Sequence, residues 1–131
     1  SRAQQLALLT KVMSEERAKG NYVIAGGDWN HAILGSLTLY PSIQQVPDWV
    51  AELKESDLPE GFSVVAPDNL NSVPTCRGDD IPYEKDKTYT TAVDGWIVSD
   101  NVIATARNVD TQFAYSDHNP VLLSFTLKSA V

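Results

Sequence analysis

The sequence has a single cysteine, Cys76, so no intrachain disulfide can close. The fold must be held by packing and hydrogen bonds, and cysteine usage leaves the redox compartment open. No apolar run approaches the roughly 20 residues that a bilayer-spanning helix needs. No signal peptide is visible after Ser1. Positive charge is also scarce: 10 Lys and Arg stand against 17 Asp and Glu, a net charge of -7. A grip on a nucleic-acid backbone needs clustered Lys and Arg. Here they are few and scattered, so nucleic acid is not favoured as a partner. It is not excluded, because a metal site can hold phosphate without a basic surface. Internal repeats and low-complexity segments are absent.

What is present reads as one globular domain over residues 1–131. The chain is 43% hydrophobic and 21% charged, a composition typical of folded proteins. A fold of this size buries about two-thirds of its unfolded surface. The chain begins with Ser1 and runs straight into a helical pattern, which reads as a piece of a longer protein.

Leu6, Leu9 and Met13 recur at helical spacing, with Ala3 one turn earlier. They predict an amphipathic helix from Ala3 to Lys19, stopped by Gly20 and Asn21. Tyr22 to Ala25 is a short apolar run bounded by turn residues and predicts a buried strand. Helix, Gly turn and strand form one unit of a layered α/β fold. Residues 31 to 45 read as loop, with His31 an ordinary loop residue. Val46, Trp49, Val50 and Leu53 share a helical face and predict a second helix. Pro47 suits its first turn, and Asp57 and Pro59 end it. Phe62 to Val65 predicts a strand. A long irregular stretch from Pro67 to Lys87 follows, and loops of that length are often functional. Strands return at Thr90 to Ser99, Val102 to Val109 and Val121 to Leu127. Ser99-Asp100-Asn101 predicts a hairpin turn between two of them. In the last strand Val121, Leu123, Phe125 and Leu127 make one face wholly apolar.

Three segments carry polar groups at the ends of apolar runs. Asp28 and Asn30 lie two apart after a strand, and an extended chain would put both on one face. A carboxylate can take a proton from water, and a carboxamide can hold that water or a phosphate oxygen. The plainer reading is a Gly-Asp turn closed by an Asx hydrogen bond. Asp94 sits inside Ala92-Val93-Asp94-Gly95-Trp96-Ile97-Val98, where an unpartnered carboxylate is costly. A histidine is a natural partner; backbone or water would also serve. Asp117 and His118 come just before a strand. An Asp can bind a hard cation through oxygen, and an imidazole fixed by Asp94 can bond or protonate a phosphoryl oxygen. The plainer reading of His118 is a satisfied turn residue. Cys76 reads as an ordinary buried thiol.

In their order, Gly27-Asp28-Trp29-Asn30, Val93-Asp94-Gly95-Trp96-Ile97-Val98-Ser99 and Ser116-Asp117-His118-Asn119-Pro120-Val121 resemble motifs of the endonuclease/exonuclease/phosphatase superfamily. The last is the most specific. The resemblance implies an α/β (α+β) fold: a helix-covered, mostly antiparallel sheet, half of a DNase I-like four-layer αββα sandwich. It implies hydrolysis of a phosphodiester or phosphomonoester. Asp28 and Asn30 would activate the attacking water and contact the phosphate, and His118, oriented by Asp94, would contact or protonate it. Asp117 would belong to a Mg²⁺ (or Mn²⁺) site. Thr75 and Arg77 resemble a Thr-x-Arg segment of some members, with Arg77 toward the substrate. The family domain is about twice this length, and its first half supplies an Asn and a Glu central to metal binding. The chain therefore resembles the C-terminal portion of such a domain, with an incomplete metal site. It would be weakly active or inactive alone, or else a binding or assembly module that keeps the fold. A phosphate-ester substrate is expected. So is a cover for the open sheet face, either the missing N-terminal half or a second copy.

Overall fold

Ser1 closes the first helix. Its hydroxyl accepts from the Gln4 amide, and the Gln4 side chain accepts from the Ser1 amine, a reciprocal capping box. In the computed structural model, which describes residues 1–129, this helix, α1, spans Arg2–Ala18. It ends where Gly20 adopts a left-handed conformation, φ +90°. Nine short strands follow in chain order: β1 (Ile24–Asp28), β2 (His31–Ala32), β3 (Ala51–Glu52), β4 (Phe62–Val64), β5 (Cys76–Arg77), β6 (Thr90–Thr91), β7 (Asp94–Ser99), β8 (Val102–Asn108) and β9 (Val121–Leu127). The class is mixed α+β, with one α-helix and several small sheets among the described residues, most of the sheets antiparallel.

β7 is the central strand of a three-stranded antiparallel sheet, flanked by β1 and β4. Its two faces pack differently, because successive side chains alternate. Ile97 points into a core with Met13, Ile33, Leu53, Leu58, Phe62 and Ala92. Leu6 and Leu9 of α1 lean on the same core. Trp96 and Val98 face the other way, toward Val102, Ala106, Val121 and Leu123 of the antiparallel β8–β9 ribbon. Gly26 lies opposite Trp96 in the β1–β7 register. A Cβ there would sit 2.3 Å from the indole, so this position has no room for a side chain.

Several expectations shift. The first strand starts at Ile24, not Tyr22, and carries on through both glycines to Asp28, because β7 supplies partners along that whole length. No second helix forms over Val46 to Leu53. Val50 closes a turn on Pro47, and Ala51–Glu52 pairs in parallel with β2. Of the predicted apolar face only Leu53 is buried, so tertiary pairing outweighs a helical stripe of which a single residue reaches the core. Within residues 31 to 45, read as loop, Ile33 and Ser36 are fully buried. The 90–99 strand breaks at Ala92-Val93, and its halves join different sheets. The Ser99-Asp100-Asn101 turn is present, but it is a corner: β7 pairs with β1 and β4, while β8 pairs with β9. On β9, Val121 and Leu123 pack inward, yet Phe125 and Leu127 remain 50% and 48% exposed. Among the described residues no helix is long and apolar enough to cross a membrane.

Candidate functional site

Asp28 ends β1 and Asp94 begins β7, and the antiparallel register makes them direct partners. Two carboxylates are thereby placed side by side at one end of the sheet. The segment after β8 delivers the third group. Cys76 and His118 form an isolated antiparallel bridge. The Arg77 amide donates to the Asp117 carbonyl at 3.0 Å, and the Asn119 amide donates to the Thr75 carbonyl at 2.8 Å. Residues 75–77 therefore splint Asp117 to Asn119 beside the sheet end. The fully buried Thr75 hydroxyl accepts from the amides of Val93 and Asp94, at 3.0 and 3.2 Å, which fixes the backbone from which Asp94 projects.

His118 Nδ1 lies 2.8 Å from Asp94 Oδ2. Its Nε2 faces Asp28 Oδ2 at 3.8 Å and Asp117 Oδ1 at 4.0 Å. Burial alone would depress the imidazole, but its hydrogen bond to Asp94 and the charges of Asp94, Asp28 and Asp117 outweigh it and raise its pKa. Asp94 is also raised: burial dominates over the bonds from His118 and Thr75 that pull it down. Asp28, Asp94 and His118 each offer a ligand atom within 4.8 Å of the others, a group able to hold a metal ion. Asp117 stands beside this group, not within it.

Asn30 does not extend β1. It takes a left-handed conformation, φ +52°, and its amide donates to Asp28 Oδ1 at 2.8 Å. This is the Asx turn, and it removes Asn30 from the strand face that period two would have shared with Asp28. Both residues nevertheless line one cleft of ≈ 230 Å³, together with Arg77, Asp117 and His118. Arg77 bonds the Gly78 carbonyl through Nη1, while its buried Nε has no partner among the described residues.

Several cleft residues were not anticipated, Arg2 and Cys76 among them. Arg2 reaches across from α1 and donates to the Trp49 carbonyl at 2.8 Å; nothing in the sequence links those positions. Cys76 lies 3.9 Å from His118 Nε2. Burial, together with the charges of Asp94, Asp117, Asp28 and Asp79, pushes its thiol up to about 12, so it stays neutral and is no nucleophile. His31 Nδ1 is engaged with the Trp29 carbonyl and takes no part. The indole N–H groups of Trp29 and Trp96 donate to the backbone carbonyls of Gly95 and Val121, which uses both rings for packing. No protein-family model matches the chain, and neither the curated proteins nor the solved structures yield a match.

Proposed function

We propose that this chain is the C-terminal portion of a metal-dependent phosphoesterase of the endonuclease/exonuclease/phosphatase superfamily. One observation carries the reading: the 2.8 Å contact of His118 with Asp94, set directly across the strand pair from Asp28. Three distant motifs meet at one cleft, as a single hydrolytic site would require.

The donor set fits a divalent cation in charge. Three carboxylates, Asp28, Asp94 and Asp117, surround one imidazole. Asp94 is engaged with His118, so Asp28 and Asp117 are the oxygens that would hold Mg²⁺ or Mn²⁺, which take hard oxygen donors. Such an ion, when bound, polarises a phosphoryl oxygen. The Asn and Glu of the family's first half would complete its coordination, and the same half would complete the sandwich over the β8–β9 side. Asp28 and Asn30 orient the attacking water, with Asp28 as proton acceptor. His118 donates a hydrogen bond from Nε2 to the phosphoryl group, while Asp94 holds the ring and supports its positive charge. Arg77 lines the same cleft and neutralises phosphate charge.

The test is hydrolysis of bis(p-nitrophenyl) phosphate with Mg²⁺ or Mn²⁺, on a sample whose intact masses are known. Metal-dependent turnover abolished by His118→Ala supports the reading; turnover that survives this change sinks it. The exposed Phe125 and Leu127, on one face of the β8–β9 ribbon, favour a second reading, a binding or assembly module without turnover. Under it, a partner covers that surface and no metal-dependent hydrolysis is seen even when the partner is present.

A further inference from the structure

A second cavity, of ≈ 270 Å³, shares no lining residue with the His118 cleft. Three aromatic rings wall it. Tyr40 is buried, with its hydroxyl tied to the Leu70 carbonyl. Tyr83 and Phe113 meet edge to face, their centroids 5.0 Å apart. Two carboxylates, Asp86 and Asp110, line the same space against one ammonium, Lys85. Neither carboxylate forms an ion pair among the described residues. Both lie close enough to Tyr83 that, after burial, their charges raise its hydroxyl pKa.

The backbone here is unusual. Five non-glycine residues are left-handed among those described, and three of them, Asp86, Gln112 and Phe113, line this cavity. Gln112 and Phe113 are consecutive, and the Asp110 carboxylate helps hold the turn by accepting from the Gln112 amide at 2.9 Å. Strain of this kind collects at ligand clamps. Aromatic faces carry partial negative charge, and carboxylates beside them reinforce it. An anion would meet two carboxylates, and a purely apolar ligand would make no use of their charge. A cation with an apolar skin satisfies both the rings and the acids.

We propose that this cavity binds a small organic cation of the quaternary or methylated ammonium class, seated on Tyr40, Tyr83 and Phe113 and countered by Asp86 and Asp110. The volume suits a headgroup rather than a ligand large enough to fill the roughly 300–1,000 Å³ of typical small-molecule sites. The inference does not depend on the phosphoesterase reading, because the two clefts share no residue.

The probe is tetramethylammonium chloride, titrated into the full chain while amide chemical shifts are followed. Sodium chloride and the neutral tert-butanol serve as controls. Saturable shifts around Tyr83 and Phe113 are expected, with tert-butanol weaker by about tenfold, as loss of a cation–π contact implies. Asp86→Asn and Tyr83→Ala should each weaken binding several-fold, and His118→Ala should not. Phosphatidylcholine vesicles distinguish the source: co-sedimentation that tetramethylammonium competes away identifies a lipid headgroup, and binding of the free ion alone identifies a soluble cation. Absence of saturable shifts, equal binding of tert-butanol, or sensitivity to His118→Ala with none to the two cavity variants overturns the proposal. If Tyr83→Ala unfolds, the exposed Asp86→Asn still decides.

Discussion

Asp28 and Asp94 are cross-strand partners at one end of the β1–β7 pair, and the imidazole of His118 touches both, Asp94 at 2.8 Å through Nδ1 and Asp28 at 3.8 Å through Nε2. Antiparallel pairing sets this proximity, since residues 66 positions apart in sequence become neighbours through register alone. Two like charges this close are tolerated when a cation stands between them, and His118 is placed to be one.

Replacing Asp94 with Asn should therefore lower the pKa of His118. The hydrogen bond and charge that lift it would be lost, while the burial that depresses it would stay. An NMR titration of the imidazole reads this directly. An unchanged pKa would show that Asp94 does not control the ring. Phosphodiesterase activity, where the complete site is present, should fall on the order of 10²–10⁴-fold.

The same shift has a consequence for stability. His118 titrates above its ordinary 6.5 in the folded state. A raised folded pKa means that the folded chain holds the proton more tightly, so this contribution is full below pH 6.5 and is lost as pH rises through the raised value. Asp94, raised above 3.8 chiefly by burial, acts in the same direction at lower pH. Urea midpoints should therefore decline from mildly acidic to alkaline pH, and His118→Gln should flatten the slope above pH 6.5. An equal slope in the variant would remove His118 as the cause.

Mn²⁺ binding, followed by electron paramagnetic resonance, should weaken in Asp28→Asn and in Asp117→Asn. Lone carboxylates bind such ions poorly, and each supplies an oxygen to the proposed ion. If both variants bind as the parent does, the ion lies elsewhere.

Met13 is 2% exposed and Leu8 is 65% exposed on the same helix. Met13→Ala should cost about 2–5 kcal/mol, because it opens a cavity between α1 and the sheet. Leu8→Ala should stay within about 0.5 kcal/mol of the parent. Denaturant unfolding separates the two, and similar losses would mean that the helix packs on another face. Gly26→Ala tests the opposite face: the added carbon meets Trp96, so overpacking should cost about 1–3 kcal/mol and alter tryptophan fluorescence.

Self-association through the ribbon should be concentration-dependent and should fall in Phe125→Ser with Leu127→Ser, measured by sedimentation velocity. A monodisperse monomer at all concentrations would show that exposed Phe125 and Leu127 need no second copy.

The sequence by itself determined the pieces whose signals are local. The Leu6, Leu9 and Met13 stripe ended by Gly20 marks α1, and alternation over Val121 to Leu127 marks β9. A carboxylate in the apolar run around Asp94 announced that a partner was needed, since burial without one is costly. Only the tertiary structure decided what depends on pairing. Val46 to Leu53 carries a helical stripe but becomes a turn and a short strand, because β2 offers hydrogen bonds there and only Leu53 of the stripe is buried in the core. Asn30 leaves the strand face because its amide finds the Asp28 carboxylate. Cys76 and Arg2 join the cleft through contacts that no spacing encodes. Periodicity records which side of an element is buried. The choice of residue that meets it is made by register and chain crossings, which are properties of the assembled fold.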